Sequence, residues 1–221
     1  MHTFIIIGHR VKTSGDFNLN DLCGSTGRLD VLLRCINATF FLSGDIRRDT
    51  ETYLVLLGEP EPPKTIHLVG SELKYLNPDE RSTGALIRNA LMKEIKDRSE
   101  FHDTDTNSSH FLLHHGISSN AIKNKEVKST PGIYVSRKTF EDVLKDLKAE
   151  IIYLREDGED IRNVDLQDDA VFVLGDEKDL TEDEEKILKK HNAKTVSLGP
   201  GKMLASHCIT IVNNELDRRK I

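Results

Sequence analysis

Apolar residues along the chain switch between two spacings, and the switching predicts the architecture. Residues 2–8 (HTFIIIG) are a short β-branched run and read as a strand. A glycine-bounded turn follows at 24–27. Over 28–42, Leu29, Leu32, Leu33, Ile36 and Phe40 recur three or four apart, which places them on one buried helical face. Strands are predicted at 52–57 (TYLVLL) and 64–69 (KTIHLV), the second as a hairpin partner of the first. The turn between them carries Pro60, Pro62 and Pro63. Pro78-Asp79-Glu80 starts a helix that runs to about residue 98, with Leu86, Ile87, Ala90, Leu91 and Ile95 facing inward.

Periodicity lapses over 99–131, which reads as a long loop or insertion. It then resumes, with a strand at 133–136, an amphipathic helix at 139–149, a strand at 150–154 and a turn at 156–158. The apolar strand 170–174 stops at Gly175-Asp176. In the helix over 181–190, Thr181 and Glu184 are spaced as a capping box. A strand at 194–198 ends in Gly199-Pro200-Gly201, and a last helix covers about 203–218. Strands alternating with helices imply an α/β fold with a mainly parallel sheet. A chain of 221 residues suits a single domain, 1–221, that carries 99–131 as an elaboration.

Composition narrows the function classes. No apolar run nears the roughly 20 residues that cross a bilayer, and no signal-type cleavage site follows the opening MHTFIIIGHR, so a cytoplasmic protein is expected. Cys23, Cys35 and Cys208 form no CxxC pair and read as reduced thiols. A formal charge of −6 argues against non-specific coating of nucleic acid but leaves room for a local basic face. There is no GxGxxG after a strand, no P-loop, no HExxH and no GxSxG. His102, His110, His114 and His115 lie in the long loop without a carboxylate at metal-binding spacing, so no metal site is expected. In open α/β sheets, ligands sit beyond the carboxyl ends of strands. Three loops qualify here: the one after Leu154, Gly175-Asp176, and the run 198–201. Glycine at two of these ends lets backbone amides approach a ligand closely.

Several strings then converge on one resemblance. SLGPGKMLASHCITIVNNELDRR (197–219) is similar to the signature end of the SPOUT (trefoil-knotted) methyltransferases. It most resembles the archaeal tRNA pseudouridine-54 N1-methyltransferase (TrmY) family. CGSTGRLDVLLRC (23–35), FFLSGDIRRDT (40–50), LNPDERS (76–82), STPGIYV (129–135) and VFVLGD (171–176) resemble the same family in the same order. The match spans nearly the whole chain apart from 99–128. It implies a SPOUT-type, Rossmann-like sheet with a knotted cofactor-binding region over about 171–217. S-adenosyl-L-methionine is the implied cofactor, held by Leu154, Gly175, Leu198, Gly199, Pro200, Gly201, Lys202, Met203 and Cys208. The implied partners are a pseudouridine-containing tRNA T-loop and a second copy of the chain, with no membrane. Glu177, Leu204 and Asn213 depart from the family pattern, which often has histidine at those places.

The acceptor chemistry singles out the charged turn 43–49. Pseudouridine carries its sugar on carbon, so its N1 bears a proton that must leave as the nitrogen attacks a methyl group. A nearby carboxylate suits that task. Asp45 is the first candidate and Asp49 the second, with Arg47 and Arg48 holding RNA phosphates through their planar, bidentate guanidinium groups. Two alternatives stay open: a pseudouridine of ribosomal RNA as the acceptor, and an RNA-binding protein without catalysis.

Overall fold

The computed structural model describes residues 1–95 and 126–220. Among these residues, eight strands form one sheet in the order β10-β8-β9-β1-β4-β5-β7-β6, and a two-residue ribbon pairs β2 (Phe41–Leu42) with β3 (Asp45–Ile46). The first five strands of that order run parallel: β10 (Lys194–Ser197), β8 (Ile151–Asp160), β9 (Val171–Gly175), β1 (His2–Gly8) and β4 (Thr50–Leu56). β5 (Lys64–Val69), β7 (Ile133–Ser136) and β6 (Val127–Thr130) extend the sheet antiparallel. The mainly parallel α/β reading therefore stands.

Side chains alternate across the sheet and feed two cores. Phe4, Ile6, Leu54, Leu56, Phe172 and Leu174 face one side, packed with α2 (Leu29–Phe40), α3 (Glu80–Leu91) and α6 (Ala205–Arg219). Ile5, Ile7, Tyr53, Val55, Val171 and Val173 face the other, under α4 (Phe140–Asp146) and α5 (Glu182–Lys190). β1 and β9 are buried on both faces, which is why they read as unbroken apolar runs rather than alternating ones.

Local chemistry sets the helix starts. Asp79 caps α3 through Ser82 N–H at 2.8 Å, and Thr139 with Asp142 closes a capping box on α4. The predicted Thr181–Glu184 box is present on α5, with Glu184 accepting from Thr181 N–H at 2.7 Å. The short α1 (Leu22–Ser25) precedes α2, whose first turn is satisfied by Thr26 Oγ1, which accepts from Leu29 N–H at 2.9 Å.

Four expectations change. The 28–42 helix ends at Phe40, and Phe41–Leu42 turn into β2, paired with Asp45–Ile46 as β3. The helix expected to run to 98 ends at Leu91; its last expected residues, 96–98, lie outside the described residues. Of the loop over 99–131, residues 127–130 are the edge strand β6, whereas 99–125, with its four histidines, lies outside the described residues. The strand predicted over 150–154 continues to Asp160. Residues 154–158 bulge out of register with β10 before Glu159 and Asp160 return to pair with Val196 and Ser197. Gly158 makes the return possible, because a Cβ there would sit 2.6 Å from Val196 N.

Candidate active site

The carboxyl ends of β8, β9 and β10 open onto a cleft of about 470 Å³. The bulge of β8 forms one wall with Leu154 and Glu156. The end of β9 and the turn after it form the floor with Leu174, Gly175 and the acidic run Asp176, Glu177 and Asp179 around Lys178. The start of α6 closes the third side with Lys202, Met203, Ala205 and Cys208. A smaller hollow of about 40 Å³ adjoins it, sharing Leu154, Glu156, Met203 and Cys208 and adding Arg155, Leu198, Gly199 and Gly201. Among the nine residues expected to hold the cofactor, eight line these two hollows. Pro200 is exposed and lines neither.

The glycines here play different parts. A Cβ at Gly175 would lie 2.0 Å from the Lys178 carbonyl oxygen, so Gly175 lets the 176–179 turn fold back over the strand end. At Gly199 and Gly201 a Cβ would meet nothing within 4 Å, and Gly199 has a φ of +138°. That loop faces open space.

An adenosyl group with a sulfonium centre fits these surfaces on two counts. Leu154, Leu198, Met203 and Leu174 offer apolar contact for a flat heteroaromatic ring. Of the four lining carboxylates, Asp176 is paired with His9, Glu177 with Arg10 and Arg28, and Asp179 with Lys202, which leaves Glu156 to face a cationic methionine moiety. Burial, then the charge of Glu156, pushes the Cys208 thiol up, so it stays protonated and acts as packing surface rather than nucleophile.

A buried charge cluster braces the floor. His9, just past β1, donates from its backbone N–H to Asp176 Oδ2 at 3.1 Å. Its ring nitrogens meet Asp176 Oδ1 at 3.3 Å and Glu184 Oε2 at 3.0 Å. The bond to Asp176 first, then that to Glu184, raises His9 to about 9 against the opposing effect of burial. Burial alone would lift both carboxyls, yet each lies below its usual range because His9 stands beside it as an imidazolium. Glu184 thus ties the start of α5 to the end of β1 while completing its own capping box. Sequence reasoning missed His9, since a lone histidine after a strand carries no local signal; only the β1–β9 pairing brings it to Asp176.

The charged turn 43–49 lies elsewhere. Thr50 pairs with His2 at the amino end of the sheet, whereas Gly175 pairs with Ile7 at the carboxyl end. Five strand steps separate those levels, about 17 Å at roughly 3.3 Å per residue. Asp45 is exposed and lies 3.8 Å from Arg48. Asp49 accepts from Lys220 Nζ at 2.8 Å. Arg47 forms a two-pronged pair with Asp217 near the end of α6, and Arg48 donates to the carbonyls of Leu73 at 2.9 Å and Gly70 at 3.3 Å. Within one chain, then, the structure gathers the expected cofactor residues and keeps the expected acid and phosphate residues away from them.

The fold and this cleft define an α/β protein with a ligand cleft at the carboxyl edge of a mainly parallel sheet. A solved structure, Archaeoglobus fulgidus Nep1 bound to S-adenosylhomocysteine, superposes with a TM-score of 0.59 over 99% of this chain and 98% of that one. At 13% identity it speaks for the fold alone. The family model described as "Putative SAM-dependent RNA methyltransferase" matches residues 1–113 and 103–221, and the chain belongs to that family. Its relatives include proteins named tRNA (pseudouridine(54)-N(1))-methyltransferase. That of Methanococcoides burtonii is 47% identical, covering 99% of this chain and 96% of the relative. That of Methanocaldococcus jannaschii is 42% identical, covering 100% and 98%.

Proposed function

We propose that this chain transfers the methyl group of S-adenosyl-L-methionine to N1 of pseudouridine 54 in the tRNA T-loop. The observation that carries the reading is the cleft at the carboxyl ends of β8, β9 and β10, which collects eight of the nine cofactor residues expected from the sequence. Full-length relatives of that name support it. The bound cofactor supplies an electrophilic methyl on a sulfonium. The chain's work is to hold that donor between Leu154, Leu198 and Met203, to exclude water with the apolar start of α6, and to aim the acceptor nitrogen in line. Such positioning converts an encounter into an effectively unimolecular step.

The finer architecture follows the same reading. The C-terminal region, about 171–217, forms a trefoil knot, with α6 drawn beneath the β8–β9 connection. Supporting this, Arg219 of α6 donates to the carbonyl of Val164 at 2.8 Å and to that of Ile161 in the same connection. The working form is a homodimer in which the β2–β3 turn of one chain approaches the cleft of the other. Asp45 then serves as the N1 proton acceptor from across the interface, with Asp49 as the second candidate and Arg47 and Arg48 beside the RNA. Exposed apolar residues at both places, Met203 and Leu204 by the cleft and Leu42 on the turn, favour such a contact.

Nucleoside mass spectrometry after incubation with labelled cofactor tests the reaction. T-arm RNA with pseudouridine at the target position should gain one labelled methyl group. The same RNA with uridine there should gain none. Methylation of the uridine control, or of a ribosomal RNA fragment in preference to the T-arm, contradicts the assignment.

A further inference from the structure

The residues bordering the cleft on its β1 side have no part in the reaction as described. Arg10 follows β1, and its main chain is wedged between two glycines. A Cβ at Gly27 would lie 1.9 Å from the Arg10 carbonyl oxygen, and one at Gly58 would lie 2.5 Å from it. Three main-chain bonds pin the same turn: Leu57 N–H to Gly8 O, Gly58 N–H to Val11 O and Lys12 N–H to Thr26 O, each 3.0 Å. Arg28, next to Gly27, has a φ of +81°. A residue with a side chain holds that left-handed conformation only under strain.

Both guanidinium groups from this strained, pinned frame close on one carboxylate. Arg10 Nη2 donates to Glu177 Oε1, and Arg28 Nη1 donates to Glu177 Oε2 at 2.6 Å. Arg28 is also anchored from behind, with Nε donating to Asp30 Oδ1 at 3.0 Å, and Asp30 is held in turn by Arg34 at 2.8 Å. The position of Arg28 therefore does not depend on Glu177. The Arg10 side chain is 58% exposed, and ion pairs so placed add little to stability. Two arginines converging on one pair of oxygens is, however, the arrangement that takes a phosphodiester.

We propose that Arg10 and Arg28 form a phosphate-binding site for the acceptor nucleic acid, which Glu177 fills in the free chain and an RNA phosphodiester takes over on binding. The site rests on the RNA-acceptor reading above. Its logic is exchange: one pair of anionic oxygens replaces another between the same donors, and the RNA sheds condensed counterions as it does so. Because Glu177 also lines the cleft, a phosphate docked on its arginines lays the acceptor strand beside the methyl donor. Glu177 holds Arg10 beside the anchored Arg28 until RNA arrives and weakens the binding of anions that lack further contacts.

Fluorescence anisotropy with a pseudouridine-containing T-arm RNA, over a series of salt concentrations, tests the exchange, with S-adenosylhomocysteine affinity measured by calorimetry in parallel. Arg10→Gln combined with Arg28→Gln should weaken RNA binding at least about tenfold and lower the salt-dependence slope by roughly 0.7–0.9, the loss of one phosphate contact. S-adenosylhomocysteine affinity should stay within about twofold in that variant, since neither arginine lines the cleft. Glu177→Gln should tighten RNA binding several-fold by removing the competing anion. Wild-type affinity and slope in the double variant, or weaker RNA binding in Glu177→Gln, overturns the site; should the double variant fail to fold, Glu177→Gln decides alone. RNA bound with this arginine dependence but never methylated sinks the methyltransferase reading and keeps the site. Methylation that ignores both arginines does the reverse, and wild type that binds no RNA removes both.

Discussion

The two ends of the parallel sheet carry similar residues and use them differently. At the amino end, every charge of the 47–49 run is spent within the fold: Arg47 on Asp217, Arg48 on the 70–73 turn, and Asp49 on Lys220. Beside them a buried lattice joins His2 Nε2 to Asn213 Oδ1 at 2.9 Å and Thr50 Oγ1 to His2 at 3.1 Å. Asn213 Nδ2 also donates to the Ala38 carbonyl at 3.0 Å. At the carboxyl end, glycine-bounded strand ends leave a cleft whose acidic lining is only partly neutralised. The helix α6 spans the two, about 22 Å for its fifteen residues at roughly 1.5 Å per residue. Within one chain, one end is locked and the other is open to a ligand, so any part the amino end plays in the reaction must be played across the proposed dimer.

Substitutions can break this contrast, and the largest effect is expected at the strand end. Gly175→Val drives a side chain into the Lys178 carbonyl, displaces the 176–179 turn and should weaken cofactor binding by at least about a hundredfold, in the manner of other steric strain at a special backbone position. Isothermal titration with S-adenosylhomocysteine measures it. Unchanged affinity places the pocket elsewhere.

Asp45→Ala tests whether the amino end also contributes across a dimer. If it supplies the proton acceptor, turnover should fall about a hundredfold or more while cofactor affinity holds. Mixing Asp45→Ala chains with Gly175→Val chains should then restore about a quarter of wild-type activity, because half of randomly paired dimers contain one intact site. No restoration contradicts the shared site.

Asn213→Ala sharpens the structural side. It leaves His2 with Thr50 alone and strips the Ala38 and Thr39 carbonyls of the Asn213 amide, at a cost of about 2–3 kcal/mol in urea unfolding, with little change in cofactor affinity. A drop in affinity as large as the drop in stability would mean that the two ends are coupled through α6.

The smallest effect is a pH dependence. The folded pKa of His9 is raised to about 9 from 6.5 by its carboxylate partners. Its contribution is therefore complete below about pH 6.5 and is lost as pH rises through about 9. Asp176 and Glu184 are depressed, so their contribution is present above the usual carboxylate range and lost as pH falls below it through their lowered values. His9→Gln should flatten the decline between pH 6.5 and 9. An unchanged decline assigns it to another group.

The sequence made the fold legible wherever periodicity was strong. β1, α2, β5, β9 and α5 are visible as runs, stripes or a capping box because local spacing reports burial directly. The β8 bulge was not, since 154–158 leave the ladder to wall the cleft while remaining polar enough to pass for a turn. Among the cofactor residues, the glycine loops and strand ends could be found because backbone punctuation survives in one dimension. The acidic floor, His9, and the pairing of Arg10 and Arg28 with Glu177 could not, because each arises from β1 lying beside β9 across more than 160 residues of chain. Asn213, an apparent departure from the family pattern, becomes intelligible once His2 is seen opposite it.

Amide hydrogen exchange with and without S-adenosylhomocysteine tests the central claim most directly. Protection should concentrate at 154–158, 175–179 and 198–208, with any change over 41–50 smaller than at these three segments. Protection centred on 41–50, or none anywhere in a folded protein, would contradict it.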